Sequence, residues 1–288
     1  MLSLLKSLSF LIGHLPVFLT GALAKLFGSL AYRLAGRHRK TAMENLERAF
    51  GEGLTLREKE RLAKKVFDNL AVMFFEFMRI PWLKPFDINR LYEVEGIENL
   101  KEALEKKKGV MIMTAHFGNW EMIAAYYGLT GNPIDIVARD LDNPTVDEFV
   151  KWARTRSGNR VVSKNRAMRR LLRTLSNNGI IGILLDQNVA SNEGVFVDFF
   201  GSPACTNKGP ALLAAASGAA IVPTFIVREG NKHRIIIGKE VEPGRTGDKE
   251  RDALETTARC TKVIEEMIRK HPDHWFWVHR RWKTRPPA

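Results

Sequence analysis

Two hydrophobic periods divide the chain near residue 95. Before it, apolar residues recur at helical spacing. The eighteen residues between Lys6 and Lys25, SLSFLIGHLPVFLTGALA, carry no charge, and as a helix they would extend about 27 Å. His14 and Pro16 interrupt this run, Gly13 and Gly21 weaken it, and the pattern continues through Leu26, Phe27, Leu30 and Leu34. Across 38–79 the spacing of Ala42, Leu46, Ala49 and Phe50, then Leu62, Val66, Phe67, Leu70, Phe74, Phe75 and Met78, predicts two helices. Gly51 and Gly53 separate them, and Pro81 and Pro85 end the second.

Beyond residue 95, short apolar runs alternate with helical stretches. The runs are 110–115, 134–138, 180–185, 195–200, 220–227 and 233–238; the helices are 119–128, 143–157, 165–177, 207–217 and 249–270. Runs this apolar are covered on both faces, which predicts an α/β fold: a largely parallel central sheet flanked by helices. The expected organisation is a membrane-associating apolar segment over 1–36 and an α/β domain over 37–288, with a catalytic core from about 95.

Charge narrows the partners. Lys and Arg number 45 against 32 Asp and Glu, a net +13. That favours a polyanion: nucleic acid, an anionic membrane, a phosphorylated lipid or an acidic carrier protein. Arg33, Arg37, Arg39 and Lys40 follow the N-terminal apolar run, which predicts an uncleaved anchor, interfacial or shallowly spanning, with the body on the cytoplasmic side; a buried pair of core helices is the alternative. Cys205 and Cys260 have no metal-ligand spacing and read as reduced thiols.

The chemistry concentrates in TAHFGNWE, residues 114–121. A buried strand ends at Ala115, His116 to Gly118 form a turn, and Asn119 is placed to cap a helix starting at Trp120. In open α/β sheets, ligand sites lie at this edge. A neutral imidazole can take a proton from an attacking alcohol, and a carboxylate orients it and balances the charge that develops. His116 is therefore the expected base and Glu121 its expected partner. No serine or cysteine nucleophile is needed, so direct transfer without a covalent intermediate fits. The reading requires no metal or organic cofactor.

TAHFGNWE resembles the His-x4-Asp/Glu motif of the glycerolipid acyltransferase superfamily, and specifically its Glu-containing branch, the late acyltransferases of bacterial lipid A biosynthesis. DQNVASNEGVFVDFFG (186–201), KGPALLAAASGAAIVPTF (208–225) and the ending WVHRRWKTRP (277–286) are similar to further blocks of that branch, in the same order along nearly the whole chain. The resemblance implies an acyl donor on acyl carrier protein, a lipid A precursor as acceptor, and the inner membrane as location. It implies that Arg139 lies after the second strand as an oxyanion or supporting residue, an alternative to backbone N–H groups at the His116 turn. It places Asp186 at the third strand's end, holding Arg139 or the acceptor, with Asn119 also in support. Glu121 departs from the wider superfamily's Asp, which points away from glycerol-phosphate acylation. Some members have Pro where this chain has Asp198, which leaves the donor-pocket entrance open.

Two basic features complete the expectations. Arg166, Arg169, Arg170 and Arg173 line one face of a predicted helix and would meet lipid phosphates or an acidic carrier, or form a solvated face. Trp275, Phe276, Trp277 and Trp282, interleaved with His279, Arg280, Arg281, Lys283 and Arg285, suit a membrane interface and phosphate contacts. Phe196, Phe199, Phe200, Leu212 and Leu213 read as core rather than acyl tunnel. The competing functions are acylation of another glycolipid such as a phosphatidylinositol mannoside, hydrolysis by the same dyad, and non-enzymatic membrane or RNA binding; nucleic acid is not the expected partner.

Overall fold

The computed structural model describes residues 1–163 and 167–287. Helices α1 (Leu2–His14) and α2 (Val17–Leu34) break at Leu15 and Pro16, where the sequence places its interruption. Helix α3 (Gly36–Phe50) and helix α4 (Leu56–Arg79) follow, with a 3-10 turn at Gly51–Gly53 between them. Thr55 and Glu58 cap α4 reciprocally, satisfying two of its orphan amides. Helix α5 (Ile88–Leu91) leads into β1 (Tyr92–Glu95), then α6 (Ile97–Glu105), β2 (Val110–Thr114), α7 (Trp120–Leu129), β3 (Ile134–Ala138), α8 (Pro144–Thr155) and β4 (Arg160–Ser163). After them come α9 (Ala167–Ser176), β5 (Ile180–Leu184), β6 (Gly194–Phe199), β7 (Ser202–Asn207), α10 (Gly209–Ser217), β8 (Ala220–Glu229), β9 (Lys232–Ile237) and α11 (Lys249–Lys270).

Seven strands form one sheet in the order β1-β9-β8-β2-β5-β3-β4, and β6 and β7 form a separate antiparallel hairpin. Within the sheet only the β8–β9 pairing is antiparallel. The expected largely parallel α/β sheet is therefore present. Strand β2 explains the double-sided burial. Met111 and Met113 join one core cluster with Leu171, Leu175, Ile264 and Trp275, while Val110 and Ile112 join another with Leu100, Ile123 and Tyr127. The apolar run at 195–200 lies outside the main sheet, in the β6–β7 hairpin. Short β1 and β4 and the Ser-Pro-containing β7 carry no apolar run and were not anticipated.

A network of charges ties α4 to the turn after β2. The Glu76 carboxylate accepts Arg228 Nε at 3.0 Å and Nη2 at 2.7 Å, lies 3.1 Å from His233 Nε2, and accepts Asn119 Nδ2 at 2.8 Å. Burial alone would raise the Glu76 carboxyl, but Arg228 and His233 outweigh it and hold the group far below the usual range. Asn119 occupies the expected N-cap position of α7, but its side chain makes no cap bond and is spent on Glu76.

Gly118 makes the turn possible. Its φ is +57°, and a Cβ there would fall 2.0 Å from the Ile226 carbonyl oxygen. Gly118→Ala is expected to cost about 2–4 kcal/mol, from a left-handed residue plus a forced backbone shift, read as a lowered midpoint in a denaturant titration.

Candidate active site

Register assembles the site. Strands β2 and β5 are parallel neighbours with Thr114 beside Leu184, and Leu185 N–H donates to the Thr114 carbonyl at 3.0 Å. His116 and Asp186 each lie two residues past that pair, so both chains deliver their side chains to one point on the sheet's carboxyl edge. His116 Nδ1 donates to Asp186 Oδ1 at 2.8 Å. A carboxylate only accepts, so Nδ1 carries the proton and Nε2 presents its lone pair. The Gln187 amide nitrogen donates toward that Nε2 at 3.3 Å. The His116 side chain is 22% exposed while that of Asp186 is 2% exposed: the imidazole is reachable and its partner is not. Trp275 Nε1 donates to the second Asp186 oxygen at 2.7 Å. Burial pushes the Asp186 carboxyl up, but its interactions with His116 and the Trp275 indole outweigh it and hold it below the usual range.

Glu121 is not the group against His116. Its carboxylate is held in a fork by Arg154 of α8, with Nε to Oε2 at 2.9 Å and Nη2 to Oε1 at 2.6 Å, and it accepts the Trp120 indole N–H at 3.1 Å. The reason is geometric. Glu121 sits in the first turn of α7, where the helix has already turned toward α8. Its link to His116 is indirect: the Trp120 ring stands edge-on to the imidazole with centroids 4.8 Å apart.

The other expected residues separate. Arg139 follows β3, its side chain is 75% exposed, and it pairs with Asp142 at 3.2 Å rather than with Asp186. The first amides of the His116 turn are also committed, Phe117 N–H to the Ala115 carbonyl and Gly118 N–H to the His274 carbonyl. Arg169, Arg170 and Arg173 line a cavity of about 680 Å³ with Arg160, Thr174 and Asp135. Asp135 is near the start of β3 and Arg160 begins β4, so this cavity opens at the sheet edge opposite His116. Asp135 is held there by Thr174 at 2.7 Å, by Arg170 at 3.4 Å and by Arg160. Arg166 lies outside the described residues.

The aromatic tail folds inward. Trp275, Trp277 and Trp282 are buried, and Arg281 is fully buried with Nη1 on the Cys205 carbonyl at 2.9 Å and Nη2 on Thr206 Oγ1. Arg281 therefore does not face a lipid phosphate, whereas Arg280 is exposed. Burial pushes the Arg281 guanidinium down to about 10. The tail runs beside the His116 turn, with Phe276 N–H donating to the His116 carbonyl at 2.9 Å. Sequence reasoning assigned Trp275 to a membrane interface and missed Gln187, Arg154 and Glu76. Only Glu76 carried a signal, an acid inside the apolar stretch VMFFEFM. Among the described residues, no three His, Cys, Asp or Glu side chains converge to hold a metal.

An open sheet edge carrying an imidazole with a buried carboxylate behind it is suited to acyl transfer. The model of the bacterial lipid A biosynthesis acyltransferases matches residues 2–284. The chain belongs to that acyltransferase family. It is 30% identical over 265 residues to the lipid A biosynthesis lauroyltransferase of Escherichia coli K12, covering 90% of this chain and 83% of the relative. It is 28% identical over 277 residues to the palmitoleoyltransferase of the same organism, covering 95% and 88%, and 24% identical over 274 residues to its myristoyltransferase, covering 95% and 83%.

His279 reports on the packing behind the site. Its Nε2 accepts the Asn188 amide at 3.1 Å, which requires a neutral ring. Burial pushes it down from 6.5 to about 4, aided by His116, Arg281 and Lys283 and opposed by Asp186. Below pH 6.5 the unfolded chain binds this proton and the folded chain does not, so the contribution present above 6.5 is lost as pH falls toward 4. His279→Asn should flatten the pH dependence of unfolding free energy between 6.5 and 4, by up to about 1.4 kcal/mol per pH unit, measured by denaturant titration against wild type.

Proposed function

We propose that this chain moves a fatty acyl group from an acyl carrier protein thioester onto a hydroxyl of a lipid A precursor, at the cytoplasmic face of the inner membrane. The observation that carries the chemistry is the His116–Asp186 pair at the open sheet edge. His116 Nε2 takes the hydroxyl proton as the oxygen attacks the thioester carbonyl. The C–S bond then breaks, and the imidazolium returns the proton to the departing thiolate. Asp186 keeps Nδ1 protonated and balances the charge that develops on the ring. Gln187, whose amide already points at Nε2, is the proposed donor to the oxyanion. Glu121 and Arg154 act as a positioning pair: they fix the Trp120 indole, whose ring in turn confines the imidazole.

The lipid A relatives, the +13 charge and the apolar N-terminal helices support the choice of acceptor, acidic donor and membrane location. The relatives are named for different acyl chains, so the test offers mixed acyl carrier protein thioesters with a lipid A precursor and follows product mass. Wild type should add one acyl group. His116→Ala should lose about 10²–10⁴ in rate. Asp186→Asn should lose a comparable factor in kcat with KM nearly unchanged, while Arg139→Ala stays within about twofold, as an exposed side chain paired with a surface carboxylate should. Free fatty acid without a heavier lipid would instead establish a hydrolase. Transfer to a phosphatidylinositol mannoside alone would replace the acceptor.

A further inference from the structure

Helix α2 is long and apolar enough to cross a bilayer by length and composition, and its attachments decide whether it can. A crossing helix puts its two ends on opposite sides of the membrane. The Pro16 end of α2 continues from α1, and α1 is fastened to the body. Ser9 Oγ donates to the Met78 carbonyl at 2.6 Å, Trp82 Nε1 donates to Ser9 Oγ at 3.0 Å, and Arg79 Nη1 donates to the Leu15 carbonyl at 3.3 Å. Leu2 and Leu5 pack in one cluster with Phe149 and Trp152 of α8. The other end of α2 runs through Ala35 into α3, whose Asn45 Nδ2 donates to the Trp277 and His279 carbonyls at 2.7 and 2.6 Å. Its middle is fixed as well: a Cβ on Gly28 would fall 2.7 Å from Asp68 Cα, so α2 lies directly on α4. Both ends and the middle of α2 belong to one body.

The partner of the outward face follows from charge and exposure. Leu4 and Leu11 on α1, Phe18, Leu26, Leu30 and Leu34 on α2, and Phe74 on α4 are exposed. Beside them α4 presents exposed Lys64 and Lys65, which a hydrocarbon core would exclude. Before Glu44 the chain has Lys6, Lys25, Arg33, Arg37, Arg39 and Lys40 and no acid. An apolar ridge whose first forty-three residues carry only cationic charges fits the surface of an anionic bilayer.

We infer that α1 and α2 form a monotopic hairpin that enters one leaflet of an anionic membrane and returns to the same side, so that neither helix crosses. This rests on the membrane-bound reading above, but its test does not use acyl transfer. Full-length protein with one protease site ahead of Met1 and another after the C-terminus is bound to preformed phosphatidylglycerol–phosphatidylethanolamine vesicles, and an impermeant protease is added outside. The expected result is complete cleavage at both sites without detergent. Nitroxides at positions 18, 26, 30 and 34 should all report shallow depths in the outer leaflet. Protection of the N-terminal site until detergent is added, with the C-terminal site cut, would overturn the hairpin. So would a depth gradient running from one face of the bilayer to the other, or failure to sediment with the vesicles. Each of these outcomes leaves the acyltransferase reading standing, because a lipid A precursor in detergent micelles tests that reading separately.

Discussion

A carboxylate cut off from water must find its solvation within the protein, and Asp186 imposes that requirement on the surrounding fold. One oxygen is met by His116, which arrives because β2 and β5 are parallel neighbours in matched register. The other is met by Trp275, which arrives only because the chain after α11 doubles back along the sheet edge. Arg281 sits buried close enough to favour the ionised acid, although its own bonds go to Cys205 and Thr206. Aromatic stacking of Phe199, Trp275, Trp277 and Trp282 supports these positions. The Trp- and Arg-rich tail is thus an interior wall, and its amphipathic composition reflects the need to supply donors within an apolar setting.

Glu76 makes a comparable demand from the opposite side of the turn. It collects Arg228 from β8, His233 from β9 and Asn119 from the start of α7. Removing one partner from such a cluster leaves the rest uncompensated, which is costly. The helix that carries Glu76 also carries α1 and α2. The apolar hairpin and the catalytic turn are therefore fixed to the same rigid element.

The fold was legible because its signals are local. Continuous apolar runs marked β2, β3, β5, β8 and β9, and the Pro16 break and Gly51–Gly53 turn marked helix ends. The short strands β1 and β4 were not legible, because four residues of mixed polarity leave no pattern. At the site, His116 was readable from a strand, a turn and a helix start in one stretch of eight residues. Chain proximity favoured Glu121 as its partner, whereas the carboxylate bonded to it is Asp186. Asp186 is 70 residues away and becomes adjacent only through strand order, which spacing alone does not provide. Arg169, Arg170 and Arg173 of the α9 stripe line one cavity, but which sheet edge it faces depends on how α9 lies against the sheet.

The closing of the His116 turn by the tail also sets an order in time. Helices α1 and α2 are made before the sheet, whereas Trp275 and the segment bonded to His116 are made after every strand of it. Until they arrive, Asp186 lacks its second donor and the turn lacks the Phe276 and His274 backbone bonds. A nascent chain can thus carry every strand of the sheet while His116 still lacks these bonds. Assembly of the His116–Asp186 pair is a late event in the making of the molecule, and an unfinished copy carries the motif without the contacts that hold it.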